Sequence, residues 1–145
     1  MLGVILCMLI LGFQPYLNLI NKEQFRVALS RFRVSAHRLE VETGRWHKPV
    51  AVPFNERKCR TCLDYLEDEF HVLLECPLYH ELRKTYIKPY DWKRLNMSKF
   101  IELIKTENKI EIRNLSMFIM KSFEIRKEIF ILISMPLTLS FCTYM

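Results

Sequence analysis

Three thiols and one imidazole fall within eighteen residues, at Cys59, Cys62, His71 and Cys76, in the pattern C-x2-C-x8-H-x4-C. Zinc takes four soft or borderline donors at tetrahedral corners, and a C-x2-C pair on a tight turn supplies two adjacent corners. His71 and Cys76 would close the site from the next element. The alternative is a helix that carries a histidine beside unrelated free cysteines. Four protein donors leave no position open for substrate or activated water, so a zinc ion here would be structural. His80, four residues past Cys76, is the weaker alternative ligand.

The elements that must position these donors can be read around them. From Asp64 the segment LDYLEDEFHVLLEC predicts a helix whose early carboxylates suit the positive end of the helix dipole and whose Phe70, Leu73 and Leu74 face inward. His71 and Cys76 are five apart, about 140° around an ideal helix, so an unbroken helix cannot bring both to one ion. Pro77 supplies the break, because the residue before a proline is pushed out of the helical region. Pro77 also suits the first position of a following helix, PLYHELRKTYI, with Leu78, Leu82 and Tyr86 on one face and a basic C-terminal half.

Upstream, Asn21 is expected to cap a basic amphipathic helix with Phe25, Ala28, Leu29 and Phe32 on its buried stripe. Val34 to Trp46 reads as more helix or a short strand, closed by Gly44 as a residue able to take positive φ. There His37, Arg38, Arg45 and Trp46 mix bases with an aromatic ring, as a single-strand clamp would; an ordinary turn with an exposed aromatic is the commoner reading. Residues 48–58, with two prolines, read as an extended arm into the cysteine pair. Downstream, Ser98 is expected to cap a short helix through Phe100, Leu103 and Ile104, and a longer helix follows with Ile112, Leu115, Ile119 and Phe123 inward.

The 145 residues suffice for one ordinary domain. All 22 Lys and Arg and all 16 Asp and Glu lie between Lys22 and Glu128. Residues 22–60 carry ten basic and four acidic side chains, residues 61–82 six acidic and none basic, and residues 83–128 twelve basic and six acidic. Basic flanks attract a phosphate backbone by releasing its counterions, although solvated helix faces carry similar charge. The candidate phosphate contacts are Arg26, Arg33, Arg38, Arg45, Arg57, Lys58 and Arg60. An odd count of five cysteines, with Cys7 and Cys142 left over, favours a reducing, intracellular compartment, nucleus or cytoplasm.

These features divide the chain into an uncharged segment 1–18, a basic helix and arm 19–58, a zinc knuckle with its helices 59–88, a basic helical part 89–128 and an uncharged tail 129–145. The fold class is mostly α, a small helical domain organised around a Cys3His knuckle with a short extended arm or hairpin. Each uncharged end is short of, or marginal for, the roughly 20 residues of a membrane span, so membrane association is the weaker reading. The preferred one is that neither end belongs to the domain and that the reading frame has run into unrelated sequence.

The run from ALSRFRVSAHRLEVETGRW through NERKCRTCLDYLEDEFHVLLECPLYHELRKTYI resembles the tail region of animal non-LTR retrotransposon proteins, in which a zinc-binding segment follows the polymerase. The resemblance covers roughly residues 19 to 127. It implies zinc on Cys59, Cys62, His71 and Cys76, a role in holding RNA or target DNA without sequence preference, and a polymerase domain as a further partner, here supplied in trans. The chain has no Tyr-x-Asp-Asp polymerase motif and no endonuclease residue set, so it is expected to be a fragment without enzymatic activity. The competing reading is a zinc-dependent protein-interaction module.

Overall fold

The computed structural model describes residues 16–134; the two uncharged ends therefore lie largely outside the described residues, as do Cys7 and Cys142. The order is α1 (Tyr16–Leu19), α2 (Glu23–Arg33), α3 (Glu40–Thr43), a 3₁₀ turn (Gly44–Trp46), the arm with a second 3₁₀ turn (Phe54–Glu56), the cysteine turn, a π-helical turn (His71–Glu75), a 3₁₀ turn (Pro77–Tyr79) running into α4 (His80–Tyr86), α5 (Pro89–Trp92), α6 (Met97–Lys105) and α7 (Lys109–Ser134). Among the described residues the extended structure amounts to one antiparallel bridge, Lys58 with Leu66. The domain is thus mostly helical with a minimal hairpin, as expected.

The 26-residue α7 is the spine. Asn108 accepts the backbone N–H groups of Ile110 and Glu111 and so starts the helix. Ile112, Leu115, Phe118 and Ile119 are fully buried on its inner face. Ser116 and Ser122, buried on the same helix, return their hydroxyls to the carbonyls of Ile112 and Ile119. α2 lies along α7 with Phe25, Leu29 and Phe32 inward, and α4 packs on it as well. Deleting a ring such as Phe32, 1% exposed, removes about 3–5 kcal/mol of packing.

Several local expectations are corrected. Lys22, not Asn21, occupies the cap position of α2, without a side-chain bond, and Asn96 rather than Ser98 caps α6 by accepting the Ser98 N–H. The helix expected from Asp64 begins later: Leu66 pairs with Lys58, and Asp68 accepts the His71 N–H at 2.8 Å, so Asp64 stands exposed in the turn. Gly44 is in ordinary right-handed helical geometry (φ −61°), and what it needs is space: a Cβ there would meet the Arg57 side chain at 2.8 Å. The left-handed positions are Ser35 (φ 53°), where α2 ends, and Leu63 (φ 61°), in the cysteine turn. The boundaries at 18 and 128 do not coincide with breaks in the fold either. Tyr16 and Ile20 are buried, Tyr16 bonds Ser30, and α7 runs on to Ser134.

Candidate metal centre

The cysteine turn is held by its own backbone. Cys59 N–H donates to the Tyr65 carbonyl and Leu63 N–H to the Cys59 carbonyl, both at 2.8 Å, which folds residues 59–65 into a loop that turns Cys59 and Cys62 to one side. The π turn supplies the other half. A π turn closes on an i to i+5 bond, so residues five apart come nearly above one another; Cys76 N–H donates to the His71 carbonyl at 2.7 Å. Cys76 itself has left the helix (φ −52°, ψ 122°), as its following proline requires.

The donor atoms of Cys59, Cys62, His71 and Cys76 all lie within 4.8 Å of one another. Cys59 Sγ is 4.0 Å from Cys76 Sγ, and Cys62 Sγ is 3.3 Å from His71 Nε2. A tetrahedral ion with bonds of about 2.0–2.3 Å would space its ligands roughly 3.5–3.8 Å apart, so the four can hold a metal ion with small adjustments. Cys59, His71 and Cys76 are buried, and Cys62 is half-buried.

The surroundings favour thiolate at Cys59. The Cys59 thiol is pushed well down, first by its hydrogen bond with Cys76 and then, against the cost of burial, by His71, the Cys62 N–H and Thr61. The paired Cys76 is pushed up by the same sulfur contact and by burial, while the Leu78 N–H aimed at it works the other way. For His71 burial acts downward, but Cys59 and Glu75 outweigh it and the net shift is upward. With Nε2 facing the sulfurs, His71 Nδ1 lies 3.3 Å from Glu75 Oε2, the carboxylate–histidine arrangement that orients a ligating ring. Tyr65 stacks on the other side of that imidazole, centroids 5.5 Å apart.

Two supporting residues are not evident from the spacing of the donors. Glu75 is one, although its place four residues after His71 is a usable signal. Arg83 is the other, since its letter suggests only part of a basic surface. It is 2% exposed, and its guanidinium donates to the carbonyls of Leu73 (2.8 Å) and Cys76 (3.0 Å) where the π turn ends, the second of which also accepts the Tyr79 N–H. His80 is exposed, edge-on to Trp92, and takes no part in the cluster.

The seven candidate phosphate contacts do not form one surface. Arg33 is corrected outright: it is buried, covers the Tyr16 ring and donates to the Ile104 carbonyl, joining α2 to α6. Arg57 is likewise spent internally, on the carbonyls of Val52 and Val41. Arg26 is half-buried beside the Leu17 carbonyl, and Arg45 is exposed but leans toward Glu42. Lys58 is exposed on the bridge; Arg38 and Arg60 both line an open groove. His37, expected beside Arg38 in a clamp, is internal: it pairs with Glu69 at 2.8 Å and stacks on Phe123.

Compared with known proteins, the chain matches no family model, no curated protein and no solved structure. Among the described residues no helix is long and apolar enough to cross a membrane.

Proposed function

We propose that the chain is a zinc-stabilised module that holds nucleic acid by charge, derived from the tail of a retrotransposon reverse transcriptase and lacking its polymerase and endonuclease. The observation that carries the zinc half is the convergence of three sulfurs and one imidazole nitrogen within 4.8 Å. Soft donors in that number select zinc over hard cations, and a closed donor set makes the ion a structural cross-link rather than a reagent. The three thiols are free, which suits a reducing intracellular compartment.

The nucleic-acid half is supported by a formal net charge of +6 and by the motif resemblance, which together favour a phosphate partner. One observation favours a second reading, a protein-interaction module: Trp46 (79% exposed), Val50 and Phe54 put apolar side chains in solvent along the arm. A salt titration separates the two. Affinity for an oligonucleotide that falls steeply between about 50 and 200 mM salt supports the first; no binding even at low salt, with the fold and metal intact, supports the second.

A further inference from the structure

The groove on which Arg38 and Arg60 meet encloses about 1510 Å³ and runs between α2, the segment 36–43 and α7, with the cysteine turn at one end. Its rim carries six cationic side chains, Lys22, Arg31, Arg38, Arg60, Arg126 and Lys127, against two carboxylates, Glu23 and Glu40. Two of the cations are committed: Arg126 is clamped to Glu67 and Arg60 to Glu40, each at 2.8 Å or less. Among the described residues Lys22, Arg31, Arg38 and Lys127 make no ion pair with a carboxylate. The floor is different in kind, with Val27, Ala28, Met120 and Phe123 facing the same space.

We infer that this groove is the seat of a single strand of nucleic acid, with phosphates along the cationic rim and base faces on the apolar floor. The inference rests on the nucleic-acid reading above and names its site. A duplex keeps its base faces stacked inside, exposing only base edges, sugar and phosphate, and would leave the floor unused, whereas an unpaired strand has flat apolar faces to bury. The metal cluster bears on the groove directly. Arg60 stands between Cys59 and Cys62, reaches Glu40 and lies 4.7 Å from the Phe130 ring centroid, so the ordering of the cysteine turn sets one wall.

The test is fluorescence anisotropy of a labelled strand of about twelve nucleotides, as DNA and as RNA, and of the matching duplex, titrated with the zinc-loaded full chain from about 25 to 200 mM salt. One triple variant carries Arg31→Gln, Arg38→Gln and Lys127→Gln; a control triple carries Lys93→Gln, Arg94→Gln and Lys105→Gln, three exposed bases that do not line the groove. Circular dichroism and zinc content confirm that both fold. The groove triple should bind at least about tenfold more weakly and flatten the log–log salt slope by about 2, some 0.7 for each phosphate no longer engaged, with the control within about threefold of wild type. Equal weakening in the two triples would overturn the groove while leaving nucleic-acid binding in place. A duplex held as tightly as the single strands would overturn the choice of strand. DNA and RNA should bind alike, and a preference of about tenfold would reveal a sugar contact that contradicts the proposed seating. No binding by the wild type at the lowest salt would sink the underlying reading and the groove with it.

Discussion

At the scale of single residues, the four side chains that could hold a metal ion are legible in the sequence because their chemistry is carried by residue type and spacing. The side chains that hold those ligands in place are not, because a buried Glu or Arg has the same letter as an exposed one. Glu75 is the clearest case. Its carboxylate stands behind His71 Nδ1, so it orients the ring without touching the metal position. Glu75→Ala should weaken zinc affinity about 10- to 100-fold, read by competition with a chromophoric chelator, while the stoichiometry stays at one. Unchanged affinity would show that Tyr65 stacking alone fixes the imidazole. Arg33 and Arg57 illustrate the reverse error: charge alone points both toward phosphate, yet backbone carbonyls consume both.

At the scale of elements, apolar periodicity locates α2, α6 and α7, and Pro77 locates the helix break. What periodicity does not reveal is that the turn before the break widens to π geometry, which brings His71 over Cys76. Arg83 stabilises that turn from α4 through two fixed N–H···O contacts, a task for a planar fork and not for an ammonium point charge. Arg83→Met should therefore cost about 1–3 kcal/mol in urea unfolding for the buried hydrogen bonds it removes, the Cys76 carbonyl keeping the Tyr79 N–H, and Arg83→Lys should recover less than half of it. If the lysine variant recovers fully, the residue acts by charge toward the thiolates and not by geometry.

At the scale of the whole molecule, two carboxylates of the acidic segment, Glu67 and Glu69, are internal fasteners, while Asp64 and Glu81 stay exposed. Glu69 ties to His37 and Ser35, and Glu67, 2% exposed, accepts the Glu40 N–H and a two-pronged contact from Arg126, 59 residues on. These contacts couple the cysteine turn to α3 and α7 and explain why acidic residues cluster where the sequence shows only alternating blocks of charge. Arg126→Ala would leave Glu67 buried without its cation and should lower stability by about 3–5 kcal/mol, measured by denaturant unfolding of the zinc-loaded protein. A change below about 1 kcal/mol would mean that water replaces the guanidinium and that the clamp is dispensable.

The proposed function rests on one zinc ion joining four side chains drawn from two short elements. Native mass spectrometry of the full chain, purified with zinc present and compared with Cys59→Ser, measures that directly. The wild type should carry one zinc per chain and the variant none, with loss of the cooperative thermal transition. A metal-free wild type that unfolds as cooperatively as the zinc-treated protein would contradict the account.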